Sequence, residues 1–255
     1  ARIRVPILVA MLGHAPAQAA YLDQRVDEGA VRVHYPVGGA ATCDAILLGV
    51  GTAMEAGSYD RLAEQLIGYG YLVVILDHAP GELVKTSASR YAQLAQAVKG
   101  QLIGWLPGTA GCASVAHWIM GGHSAGGQAA QNAVAADAGL ADAMFNIDPF
   151  DISGAGSVAV PTLNWGFDVT TCFVDKNKAA KAAYLKSTGP RAMVRVAKQY
   201  SWGPCGYSPK YFHCSFCDSH CPACTNCQQT PAHFFVDVAR SVNRFVTAAF
   251  YGNWS

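Results

Sequence analysis

Short continuous apolar runs alternate with segments of helical period along most of this chain, and few architectures can bury such a pattern. Ala45-Ile46-Leu47-Leu48-Gly49-Val50 and the run from Tyr71 to Leu76 are apolar almost throughout, as expected of parallel strands covered on both faces. Between them Tyr59, Leu62, Ala63, Leu66 and Ile67 recur at helical spacing, with Ser58 placed to cap that helix and Gly68 and Gly70 to close it. A second helix is predicted from Ser89 to Leu106, stopped by Pro107. Val115 to Met120, Ala143 to Ile147 and Ala192 to Ala197 read as strands, as does Val158 to Trp165 despite Pro161. Ala125 to Ala136 and Asn177 to Lys186 read as helices. Val31-Arg32-Val33-His34-Tyr35 alternates apolar and polar, the pattern of a half-buried edge strand. The last helix carries Phe234, Phe235, Val238, Val242, Phe245, Val246 and Ala249 as one apolar stripe. Such alternation predicts the α/β class, with a mostly parallel central sheet flanked by helices.

The 255 residues fit one large domain, and at 51% hydrophobic and 14% charged they can fill a sizeable core. Net charge is +1 with the basic residues scattered, which argues against a nucleic-acid surface. Residues 1–19 read as a targeting segment: Arg2 and Arg4, an apolar run from Val5 to Leu12, then small residues at A-x-A spacing. That run is too short to span a bilayer. Residues 20–255 read as the single domain.

The sharpest local signal is Gly122-His123-Ser124-Ala125-Gly126, a G-x-S-x-G sequence between a strand and a helix. A tight strand-to-helix turn holds such a serine outward, and the helix start behind it directs N–H groups toward an oxyanion. A serine hydroxyl needs a base, and the base needs an orienting carboxylate, in the chain order Ser, acid, His. His213, His220 and His233 follow Ser124. His213 lies in the loop after the last strand, where the base belongs; His220 falls among cysteines and His233 starts the terminal helix. Asp148 follows one strand directly and Asp168 follows the next, and position alone does not separate them. Asp151 and Asp175 read as a turn residue and a solvated charge. The second oxyanion donor comes from the loop after an early central strand, which ends at Val50-Gly51-Thr52. The Thr52 and Ala125 N–H groups are the candidate pair.

These segments resemble the chlorophyllases and their relatives among the α/β-hydrolases, from about residue 45 to 250. Gly122-His123-Ser124-Ala125-Gly126-Gly127 is similar to the family's Gly-His-Ser-Arg-Gly-Gly, and Tyr211-Phe212-His213 to its Tyr-Gly-His. Ile147-Asp148-Pro149-Phe150-Asp151 is similar to Ile-Asp-Pro-Val-Asp, whose first Asp is the triad acid. The resemblance implies Ser124 as nucleophile, His213 as base, and Asp148 in preference to Asp168 as acid. It implies a carboxylic ester hydrolase working through an acyl-enzyme, without cofactor or metal, on a small lipophilic ester. The chain departs from the family at Ala125, at Val50 and at Cys214-Ser215-Phe216, where the plant enzymes carry Arg, His and Met/Leu-Asp-Met. Apolar residues at strand ends and in loops near the triad are candidate pocket lining: Met54, Phe150, Trp165, Phe167 and Phe216. A secreted lipase or polyester-type esterase on the same scaffold is the rival reading. A catalytically dead hydrolase-fold binding protein is the other.

Nine cysteines are many for a chain kept reduced. Cys43, Cys112 and Cys172 stand isolated, while Cys205 and Cys214-x2-Cys217-x3-Cys221-x2-Cys224-x2-Cys227 crowd a loop at 205–227. The C-x2-C pairs lie too close together to wrap one zinc ion readily. Disulfides bracing the loop beside His213 are the expectation, in a secreted or other oxidising, organellar compartment.

Overall fold

The computed structural model describes residues 19–27, 29–52, 54–77, 87–150, 154–167, 178–196 and 232–252. The expectations for residues 1–18, Asp168, Cys172, the cysteine loop, His213, Phe216 and His220 lie outside the described residues.

Three strands come first, β1 (Ala19–Val26), β2 (Gly29–Pro36) and β3 (Thr42–Gly49). They are followed by α1 (Asp60–Ile67), β4 (Leu72–Leu76), α2 (Ala88–Trp105), β5 (Ser114–His123) and α3 (Ala125–Ala136). The chain continues through β6 (Ala143–Ile147), β7 (Thr162–Phe167), α4 (Lys178–Lys186), β8 (Arg191–Val196) and α5 (Ala232–Tyr251). Among the described residues the strands form one 8-stranded sheet, ordered β1-β2-β4-β3-β5-β6-β7-β8. From β4 to β8 every pairing is parallel, and β1 and β2 add an antiparallel margin. This is an α/β fold with a mostly parallel sheet flanked by helices.

Each face of the sheet has its own core. Leu62, Leu66 and Ile67 of α1 and Phe234, Val238 and Val242 of α5 bury against Ile46, Leu48, Val73 and Ile75. On the other face Tyr91, Leu94 and Val98 of α2 and Ala129, Ala130 and Ala133 of α3 cover Leu47, Val74 and Met120. The central strands β3 and β4 are therefore covered by apolar packing on both faces, and each fully buried Leu or Ile contributes about 1.5–3 kcal/mol.

Three local expectations change. β2 is an inner strand, paired with β1 on one side and β4 on the other, and β1 is the edge, with Leu22, Gln24 and Val26 half-buried and Tyr21, Asp23 and Arg25 exposed. Charge along an exposed edge also discourages pairing with another chain. Ser58 does not cap α1: it lies in a 3-10 turn (Ala56–Tyr59) that leads into the helix, and Tyr59 holds the cap position. The strand expected from Val158 begins only at Thr162, after Pro161, and Val158 instead bridges to Ser187. Cys43 and Cys112, which stand apart from the other cysteines in the sequence, form a disulfide that ties the start of β3 to the segment before β5, in line with the disulfides expected from the cysteine count.

Candidate active site

The connection from β3 runs through α1 to β4, on one side of β3. The connection from β4 then runs through α2 to β5, on the other side. Strand order thus reverses between β3 and β5, and the crevice beyond their carboxyl ends is where open parallel sheets bind ligands. Gly49 pairs with Gly122 at those ends. Past them lie Gly51-Thr52 on one strand and His123-Ser124 on the other.

Ser124 has φ 52° and ψ −120°, between a strand and a helix, in a region that non-glycine residues avoid. Such a conformation costs on the order of 1–3 kcal/mol and persists only where its surroundings impose it. Here the surroundings are backbone. Ser124 donates its N–H to the Ile147 carbonyl at 3.1 Å, and its own carbonyl accepts from Gln128 and Phe150 at 3.1 and 3.0 Å. Glycine is required at Gly126, where a Cβ would collide with the backbone of Gly49 and Val50. That contact lets the first turn of α3 press directly against the end of β3.

The partner strand brings the carboxylate. His123 pairs with Ile147, so Asp148 stands beside Ser124 one step further along parallel strands. Asp148 is fully buried and also has positive φ, 44°, while its N–H is donated to the Trp165 carbonyl at 2.8 Å. One layer below, Asn146 donates to Gln131 and to Asn164, both at 3.0 Å, binding β6 to α3 and β7. Alternative acid Asp168 and base His213 lie outside the described residues, as does the His233 side chain.

The loop after β3 closes over the serine. A Cβ on Gly51 would stand 3.3 Å from Ser124 Cβ and 3.1 Å from His123 Nδ1, which measures how closely the loop approaches the strand-to-helix turn at Ser124. Gly51 and Met54 form a turn, with the Met54 N–H donated to the Gly51 carbonyl at 3.2 Å. Thr52 is exposed within that turn, whereas Ala125 is buried at the first position of α3.

The candidate lining divides. Met54 is buried beside the turn at Ser124, and Phe150 is 41% exposed next to Asp148. Trp165 and Phe167 belong to the core on the α5 face, their rings 6.3 and 6.1 Å from that of Phe234. Phe216 lies outside the described residues. One residue that sequence reasoning assigned only to the core does more: Tyr59 accepts the Gly51 N–H at 2.7 Å and lies 2.9 Å from His123 Nδ1. Its helical spacing marked it as buried, but no local signal marks what its hydroxyl bonds.

No protein-family model matches the chain, and no curated protein matches it either.

Proposed function

We propose that this chain is a serine hydrolase of the α/β-hydrolase fold, similar to the chlorophyllases, that cleaves carboxylic esters carrying lipophilic groups. The observation that carries the reading is Ser124: a strained, buried serine at the switch point of a parallel sheet, with a buried carboxylate on the adjacent strand end. Backbone strain of this kind clusters at reactive sites.

In this reading Ser124 Oγ bonds to the ester carbonyl carbon while His213 takes the hydroxyl proton. The carbonyl π electrons move onto oxygen, where the Thr52 and Ala125 N–H groups and the positive end of α3 stabilise them. Collapse of the tetrahedral intermediate expels the alkoxide, which receives its proton from His213. A water molecule, deprotonated by the same histidine, then releases the acid from the acyl-enzyme. Asp148 orients His213 and stabilises its charged form. The chemistry calls for no metal or cofactor. The Cys43–Cys112 disulfide supports an oxidising compartment, and bridges in the loop at 205–227 would hold His213 in place.

A fluorophosphonate probe should label Ser124 stoichiometrically, and a series of p-nitrophenyl esters should show kcat/KM rising with acyl length. Each additional buried CH₂ can contribute about 0.8 kcal/mol. Activity on long-chain esters but none on chlorophyll selects the lipase or polyesterase reading. Failure both to label and to hydrolyse any ester selects a binding protein.

A further inference from the structure

The geometry points to Tyr59 as a positioning residue that joins the two halves of the oxyanion site, an assignment that rests on the hydrolase reading. Tyr59 is fully buried at the cap of α1, beneath the crevice. Its hydroxyl accepts the Gly51 N–H at 2.7 Å, so that donor is committed and its peptide plane is held. The same oxygen lies 2.9 Å from His123 Nδ1 and 3.3 Å from Met54 Sδ. A hydroxyl has one proton to give and can accept twice. If Nδ1 is bare, the Tyr59 proton goes to it; if Nδ1 is protonated, His123 donates and the Tyr59 proton goes to the thioether. Either tautomer leaves one oxygen bonded both to the loop that carries Thr52 and to the residue preceding Ser124.

The consequence concerns distance between donors. The Thr52 and Ala125 N–H groups follow the ends of different strands, β3 and β5. An oxyanion hole works only where its donors are preorganised at about 2.7–3.1 Å from the developing charge. Tyr59 supplies that preorganisation through its hydroxyl, while its ring fills the core like any aromatic side chain. Phenylalanine at this position keeps the ring and removes the bridge.

Tyr59→Phe should lower kcat roughly tenfold to a hundredfold with KM within about threefold, as expected when misplaced donors affect the transition state more than the bound ester. Affinity for an alkyl boronic acid, which forms a tetrahedral adduct on the serine, should fall by about the same factor as kcat/KM. A general structural defect would lower the melting temperature without that parallel. A folded variant with kcat within about twofold of wild type overturns the assignment. So does a loss of activity confined to KM, or an unchanged boronate affinity. Should Tyr59→Phe fail to accumulate as folded protein, His123→Gln cuts the other end of the bridge and is read in the same way. Wild-type protein that neither hydrolyses esters nor reacts with a fluorophosphonate overturns the hydrolase reading and this assignment together. An active wild type with an unaffected variant overturns only the role of Tyr59.

Discussion

Phe150 donates its backbone N–H to the carbonyl of Ser124 at 3.0 Å, and Ser124 donates its own to the carbonyl of Ile147. The turn that bears Asp148 is therefore hydrogen-bonded to the turn that bears the serine on both sides. Neither can shift without the other, which keeps the carboxylate and hydroxyl in one frame however the loops above them move.

The strained serine makes a stability prediction as well as a catalytic one. Ser124→Ala should abolish ester hydrolysis, by on the order of 10⁴ to 10⁶, while retaining the circular dichroism of the native protein. Ser124→Gly should be equally inactive yet more stable than Ser124→Ala by about 1 kcal/mol, because glycine adopts φ 52° without steric conflict. Urea titrations of the two variants compare them directly, and a less stable glycine variant would show that the conformation carries no strain.

The acid assignment divides cleanly by mutation. Asp148→Asn should cost more in kcat than Asp168→Asn, and His213→Ala should be as damaging as loss of Ser124. An inactive Asp168→Asn beside an active Asp148→Asn would transfer the role to the later strand and leave Asp148 a structural carboxylate.

Close backbone contact at the turn after Ser124 predicts intolerance to a single methyl. Gly126→Ala places its Cβ against Gly49 and Val50 backbone, with the Val50 oxygen 2.5 Å away, where no side chain can rotate aside. Forced separation of α3 from β3 should destabilise by about 1–3 kcal/mol or more, and activity should fall further because Ser124 and Ala125 move with the helix. A thermal melt and turnover indistinguishable from wild type would contradict the contact.

Cys43 and Cys112 lie at the amino ends of β3 and β5, whereas Thr52 and Ser124 lie beyond the carboxyl ends. Strands of this length put about 30 Å between the disulfide and the serine. The bridge spans a sequence separation of 69 residues, and removing such a cross-link costs about 2–4 kcal/mol. The Cys43→Ser, Cys112→Ser double variant should therefore melt earlier while keeping wild-type kcat and KM at a temperature where it remains folded. A change in KM there would mean that the bridge shapes the crevice.

Acid should weaken the fold through His34. This side chain is buried on β2 with Nε2 3.0 Å from Asp60 Oδ1, and burial lowers its pKa below 6.5 against the opposing pull of Asp60. Below 6.5 the unfolded chain takes up the proton more readily than the folded one, so stability rises with pH in that window. The His34 contribution is complete above 6.5 and is lost as pH falls through the lower folded value. Urea midpoints at about pH 7.5 and about pH 5.5 should differ more for wild type than for His34→Gln. An equal difference in both would remove His34 as the cause.

Local pattern carried a large part of this protein. Runs such as Ile46 to Leu48 and Val73 to Ile75 announce strands buried on two faces, because only a sheet covered by helices can hide them. Ala125 to Ala136 and Ala143 to Ile147 begin and end where their apolar periodicity does. The same reading put Ser124 between strand and helix and Asp148 directly after a strand. Tertiary structure alone decided which strands are neighbours, since periodicity records that a face is buried and not what buries it. The reversal of strand order between β3 and β5, and with it the crevice, has no local signature. Nor does β1, whose inward positions are Ala20, Leu22, Gln24 and Val26, two of them small or polar, or the pairing of Cys43 with Cys112. Tyr59 shows the distinction within one side chain: its ring belongs to the apolar stripe that the sequence displays. Its hydroxyl acts on Gly51 and His123, brought together by the packing of α1 beneath two parallel strand ends.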